Sequence, residues 1–131
     1  MPTTITSKVA NLSIEGNVIV VRYHRKAIID LDGSIQLMND HVILSGGKPY
    51  CVLADGRIAL YWTDDSRKYM ASEVKNKSVT AVAILISSGI ASGIHKIIAN
   101  FYLRVNTPLV PTRLFTDEAE ALRWLEKYHT A

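Results

Sequence analysis

Hydrophobic and polar positions along this chain alternate between two periods, and the changes of period mark the elements. Val9 to Ile14 alternates loosely, and Val18 to Tyr23 is rich in β-branched residues. Glu15-Gly16-Asn17 between them reads as a tight turn, so the two runs predict a β-hairpin. After a connector from Arg25 to Ile29, the apolar residues Leu31, Ile35, Met38 and Val42 recur at helical spacing and predict one face of a helix. Asp30 is its expected N-cap, Asp32 adds negative charge to the first turn, and Gly33 weakens that turn. Gly46-Gly47 supplies the left-handed residue that closes a helix, and Pro49 cannot continue one.

Tyr50 to Ala54 is apolar without interruption, the pattern of a strand covered on both faces, and Asp55-Gly56 turns the chain after it. Ile58 to Trp62 reads either as an extended connector or as a short edge segment. Thr63-Asp64-Asp65-Ser66 opens a short helix to about Lys77 with Met70 and Val74 inward. Val79 to Ile86 is the strongest strand and belongs beside the Tyr50 strand. A helix from Ile90 to Val105 carries a wide stripe of Ile90, Ile94, Ile97, Ile98, Phe101 and Val105. Pro108 and Pro111 bracket a linker into a last strand, Thr112 to Phe115. Thr116 or Asp117 then caps a final helix that buries Ala121, Leu122, Leu125 and Tyr128.

The order is therefore β-β-α-β-α-β-α-β-α, an α/β fold with a mixed five-stranded sheet and four helices. Strands separated by single helices pair in parallel, and the hairpin adds one antiparallel pair. No repeat or linker interrupts the 131 residues, so residues 1–131 are expected to form one domain with one core's worth of apolar residues, 48%.

Composition narrows the function classes. Polar residues interrupt the apolar runs, which fall short of the ~20 residues of a membrane span. The N-terminus lacks the basic start and apolar core of a secretory signal, and a cytoplasmic location is expected. Cys51 stands alone inside an apolar run, so it is expected as a buried thiol and not as a disulfide partner. The net charge of +3 is spread along the chain without the basic, aromatic-interleaved stripe of a nucleic-acid binder.

Candidate chemistry is sparse. Asp55, Asp64 and Asp65 could converge at the carboxyl edge of the sheet and hold a divalent cation, but turn formation by Asp55-Gly56 and helix capping explain them, and no metal is expected. Ser87 to Gly93 is a small-residue loop without the Lys-Ser or Lys-Thr of a phosphate cradle. His24, His41, His95 and His129 have no ligand spacing, and no Gly-x-Ser-x-Gly elbow occurs. The expectation is a non-enzymatic protein without a cofactor. The width of the Ile90 stripe, together with Tyr61, Trp62, Tyr102 and Leu103, leaves apolar surface that points to a homodimer or a partner interface.

Four phrases carry a family resemblance: Ser45-Gly46-Gly47-Lys48-Pro49-Tyr50, Arg67-Lys68-Tyr69-Met70-Ala71, Ala99-Asn100-Phe101-Tyr102-Leu103, and Pro111-Thr112-Arg113-Leu114-Phe115-Thr116-Asp117. With the element order, they make the stretch from Val18 to Tyr128 resemble the small, functionally uncharacterised bacterial STAS-like domains grouped with anti-sigma-factor antagonists and CRAL-TRIO lipid-binding domains. In the antagonists, a serine or threonine at the start of the helix after the third strand is phosphorylated to switch partner binding. The resemblance places that role at Thr63 to Ser66, although the Ser-Gly pairing of the antagonists is missing and Asp64 and Asp65 already supply two carboxylates. It thus implies a STAS-like interaction or regulatory module that meets a protein partner around Asp55, Thr63, Asp64, Asp65 and Ser66. The lipid-binding relatives imply an alternative, a carrier or sensor of a small apolar ligand in a pocket by Ile94, Ile98, Phe101 and Tyr102.

Overall fold

The computed structural model describes residues 3–59, 61–76, 78–87 and 110–128. A short edge strand β1 (Thr4–Thr6) is followed by the hairpin β2 (Ala10–Glu15) and β3 (Val18–Tyr23), closed by Gly16 at a positive φ of 62°. A two-residue strand β4 (Ile28–Ile29) leads into helix α1 (Leu31–Ser45), then β5 (Tyr50–Asp55), the two-residue β6 (Tyr61–Trp62) and helix α2 (Asp64–Asn76). Strands β7 (Val79–Leu85) and β8 (Thr112–Phe115), helix α3 (Glu118–Leu125) and one 3-10 turn (Glu126–Tyr128) complete the described residues.

Six strands form one mixed sheet in the order β1-β2-β3-β5-β7-β8, and β4 and β6 form a separate parallel ribbon. The hairpin pairs antiparallel, with Glu15 opposite Val18, while β3, β5, β7 and β8 run parallel. The expected hairpin, the central Tyr50 strand and its Val79 neighbour are all present. Among the described residues the expected count of five strands is corrected to six plus the ribbon, because β1, β4 and β6 are too short to show a period. The predicted helix from Ile90 to Val105 lies outside the described residues, as does the side chain of Val74.

Alternation along the strands separates two cores. On one face Ile19, Val21, Tyr50, Val52 and Val82 pack with Leu37, Met38 and Leu44 of α1 and Met70 of α2. On the other, Val18, Val20, Cys51, Leu53, Ala81, Ala83 and Leu85 pack with Phe115 and with Ala121 and Leu125 of α3. Cys51 is fully buried there, as a structural thiol.

The caps follow their chemistry. Asp30 Oδ1 accepts from the Gly33 amide at 2.8 Å, and Gly46 closes α1 in the left-handed region at φ 61°. At α3 the cap is Asp117, whose side chain accepts from the Glu120 amide. Gly33 stands where α1 approaches its neighbours, since a Cβ there would lie 3.0 Å from a Val9 methyl.

Two predicted faces are corrected. Leu122 of α3 is exposed. On α1, Met38 is buried, but Ile35 and Val42 point to solvent, and Ser34, Leu37, Asp40, His41, Leu44 and Ser45 turn inward. At 100° per residue the buried face lies roughly 90° from the apolar stripe read from the sequence. Polar partners make this rotation affordable: Ser34 meets Ser66, His41 donates to the Leu37 carbonyl, and Ser45 donates to the Val42 carbonyl.

Candidate functional site

Parallel register sets Arg22 on β3 opposite Asp55 on β5, at the carboxyl end of the sheet. Arg22 Nη1 donates to Asp55 Oδ2 at 2.9 Å, and its two terminal nitrogens grip both oxygens of Glu118 at 2.9 and 3.1 Å. Arg57 completes the ring, with Nε and Nη2 on the two Asp55 oxygens at 2.9 and 2.8 Å. Two guanidinium groups and two carboxylates therefore saturate one another in fork-to-fork geometry.

Burial pushes the Asp55 carboxyl up, but hydrogen bonds and charge from Arg57, then Arg22, outweigh it and hold the carboxyl below its usual range. Hydrogen bonding from Arg22 likewise holds Glu118 down, and Arg22 is raised chiefly by Glu118. Asp55 is thus a fully engaged anion, and Arg22, which it helps hold, ties α3 to the sheet through Glu118. It does not join Asp64 and Asp65: Asp64 pairs with Arg67, and Asp65 accepts from Thr63 and from the Ser66 amide. Among the described residues, no group of three His, Cys, Asp or Glu side chains could hold a metal ion.

The start of α2 is built differently from the expected regulatory site. Thr63 and Asp65 cap it by accepting from the Ser66 amide at 3.3 and 2.8 Å. Ser66 itself is 0% exposed, its hydroxyl 2.5 Å from that of Ser34 on α1 and within reach of the Met70 sulfur. A phosphate has no room at that position while the two helices are packed. Of the expected regulatory residues, Asp64 and Asp65 are exposed, Thr63 is half-buried, and Asp55 and Ser66 are buried. Ile94, Ile98, Phe101 and Tyr102 lie outside the described residues.

Just ahead of α2, the β4–β6 ribbon displays apolar surface. Ile28 and Tyr61 stand in register across it at 56% and 44% exposure, and Ile58 is 51% exposed. The ribbon is anchored by main-chain bonds: Lys26 N–H to the Ile58 carbonyl at 2.7 Å, Tyr61 N–H to Ala27, and Thr63 N–H to Ile29. Lys26 occupies the left-handed region at φ 57°, an unfavourable conformation for a residue with a Cβ, and the hydrogen bond its N–H donates to the Ile58 carbonyl helps hold it there. On the inner side Trp62 meets Tyr23 edge to face with ring centroids 5.1 Å apart. Its ring also passes over Gly56, where a Cβ would approach to 2.8 Å.

The parallel direction of the ribbon also sorts charge. Exposed Arg25 and Lys26 precede β4 at one end, while Asp30, Asp64 and Asp65 follow the strands at the other. Sequence reasoning located Tyr61 and the Asp64-Asp65 pair but missed Ile28, Ile58, Arg22, Arg57 and Glu118. A signal for Arg22 existed, since pairing the ends of β3 and β5 in parallel brings it to Asp55; nothing in the sequence brings Glu118 to Arg22, 96 residues away.

Among the described residues no helix is long and apolar enough to cross a membrane. No curated protein matches the chain. A solved structure that resembles it is an uncharacterized protein of the DUF3478 family from Shewanella loihica PV-4 with a SpoIIAA-like fold. The TM-score is 0.58 at 13% identity, covering 95% of this chain and 98% of that one. At that identity the likeness establishes the fold, a STAS-like α/β arrangement, and nothing more. The family described as Domain of unknown function (DUF7793) matches residues 12–129, and the chain belongs to that family.

Proposed function

We propose that this protein is a non-enzymatic interaction module of STAS-like type that pairs with a second copy through the β4–β6 ribbon. The observation that carries this reading is the register of the ribbon, which sets exposed Ile28 beside exposed Tyr61 between a basic and an acidic end, with exposed Ile58 joined through its carbonyl to the Lys26 amide just ahead of β4. A two-fold axis through such a surface sets Arg25 and Lys26 of one protomer against Asp30, Asp64 and Asp65 of the other, while the apolar residues meet at the centre. Partner recognition therefore rests on exposed residues at the ribbon and the first turn of α2. Ser66 serves as the internal bolt between α1 and α2.

Sedimentation velocity over a concentration series tests the reading. The wild-type chain is expected to dimerise, and Ile28→Asp or Tyr61→Asp to shift the equilibrium toward monomer by at least tenfold, with circular dichroism unchanged. A chain that stays monomeric at every concentration, or a dimer indifferent to both substitutions, refutes it. High salt is expected to weaken the dimer, because the opposed ends lie at the solvent-accessible rim.

A further inference from the structure

Between the sheet and helices α1 and α2 lies a cavity of about 70 Å³. Among the described residues its wall is mostly hydrocarbon, supplied by Val21 from β3, Val52 from β5, Val82 and Ile84 from β7, Met38 from α1 and Met70 from α2. These side chains belong to the core on one face of the sheet. Both helices meet the cavity through an unbranched thioether, a side chain that adapts readily to an irregular gap.

The polar side chains along the wall give a ligand little to bond to. The Tyr50 hydroxyl has under 1 Å² of accessible surface, so a group in the cavity does not reach it. His41 donates from Nδ1 to the Leu37 carbonyl at 2.6 Å, and burial lowers the imidazole pKa, so the ring carries no charge at neutral pH. Arg67 directs its guanidinium to the Trp62 carbonyl and to Asp64. Tyr23 and Trp62 meet edge to face, and the Tyr23 hydroxyl is hydrogen-bonded to the Trp62 side chain. An ion entering this space loses its hydration without gaining a free counter-charge. Water needs roughly two to four polar partners per molecule, more than such a wall supplies.

We propose that this cavity binds a small unsubstituted hydrocarbon, held by contact with Val52, Val82, Met38 and Met70 and by no polar anchor. Size sets the upper limit. An apolar cavity of about 150 Å³ takes benzene, so one of about half that volume takes roughly three or four carbons and excludes a fatty acyl chain. Each methylene that fits tightens binding about fourfold until the cavity is full.

The test exposes the full chain, carrying ¹³C-labelled Met and Val methyl groups, to a pressure series of xenon, an apolar atom without hydrogen-bonding capacity. Saturable shifts are expected at Met38, Met70, Val52 and Val82, and not at Val18 and Val20, which pack on the opposite face of the sheet. Propane is expected to bind about fourfold more tightly than ethane. Cyclohexane is expected to be excluded by its size, and acetate, as small as propane but charged, to give no shift. Ala54→Leu extends the wall from β5 by an isopropyl group and is expected to weaken xenon binding at least about tenfold. The ligand series is read on the wild-type chain and stands whether or not that variant folds. The proposal is overturned if the folded wild type shows no saturable shift with xenon, or if Val18 and Val20 respond as strongly as Val52 and Val82. It is equally overturned if acetate or cyclohexane binds as tightly as propane, or if folded Ala54→Leu binds xenon as wild type does. These outcomes are independent of whether the ribbon dimerises.

Discussion

Replacing Asp55 with Asn removes one charge from the centre of the Arg22–Asp55–Arg57–Glu118 network while keeping the shape of the side chain. The carboxylate accepts at both oxygens, from Arg22 Nη1, from Arg57 Nε and Nη2, and from the Arg57 amide at 3.3 Å. The asparagine retains one accepting oxygen and turns an NH2 group toward guanidinium nitrogens that can only donate. Breaking a fully buried pair in this way costs about 3–5 kcal/mol, whereas an exposed pair contributes under ~1 kcal/mol. Here the Asp55 side chain is 11% exposed, but Arg22 and Arg57 are 48% and 39% exposed and water screens them. An intermediate cost of about 2 kcal/mol follows. With an unfolding entropy of ~2.1 cal/mol/K per residue over 131 residues, that loss lowers Tm by about 7 °C.

Scanning calorimetry as a function of pH and salt separates this electrostatic cost from a packing defect. The Asp55 pKa is lowered in the folded chain, because Arg57 and Arg22 outweigh the upward push of burial. The stabilisation is therefore present above the unfolded value of about 4 and lost as the pH falls through the folded one. The gap in Tm between wild type and Asp55→Asn should be full at neutral pH, narrow progressively below about pH 4, and shrink in high salt. A gap under ~1 °C at neutral pH, or one equally wide in acid and at high salt, would refute the argument.

Ser66→Ala should cost about 1–2 kcal/mol in urea unfolding by leaving the Ser34 hydroxyl unpaired, and the Ser34→Ala/Ser66→Ala double variant should cost less than the sum of the singles. Gly56→Ala puts a methyl 2.8 Å from Cη2 of Trp62, so a loss of about 1–3 kcal/mol is expected together with a changed tryptophan emission spectrum. Burial raises Tyr23 and Tyr50 to about 12. Their contribution to stability is complete below the unfolded pKa of about 10 and is lost as the pH rises through about 12, by up to ~1.4 kcal/mol per pH unit for each. Ultraviolet difference titration should find at least two of the six tyrosines ionising only in that range or on unfolding.

Features encoded in a few neighbouring residues were legible in the sequence. The hairpin around Gly16, the caps at Asp30 and Asp117, the stop at Gly46 and the doubly covered strand from Tyr50 each depend on local backbone chemistry or a short period. Features set by what the element packs against were not. β4 and β6 are two residues each and exist because one supplies the other's hydrogen bonds. Ser66 reads as an exposed helix start, and only the approach of α1 shows that it is enclosed. Gly33 reads as a helix weakness, whereas its missing Cβ is what lets α1 lie against Val9.

The rotation of α1 also decides between two apolar surfaces. By turning Ser34, Asp40, His41 and Ser45 inward, the helix leaves Ile35, Val42 and Ile43 exposed, and these could compete with the ribbon as a contact face. Apolar area alone does not separate them, since single exposed aliphatic residues are ordinary on a protein surface. Charge does. The α1 residues are interspersed with Gln36, Asn39 and, in the first turn, Asp32, and with no basic residue in the last turn to oppose that acid they give an approaching copy no complementary orientation. Along the ribbon, parallel pairing fixes basic residues at one end and acidic residues at the other, so one antiparallel docking is favoured and the parallel one repelled. Ile35→Asp or Ile43→Asp should therefore leave dimerisation within about twofold of wild type, while Ile28→Asp weakens it at least tenfold. A dimer lost to the α1 substitutions and kept by the ribbon substitution would move the interface to α1.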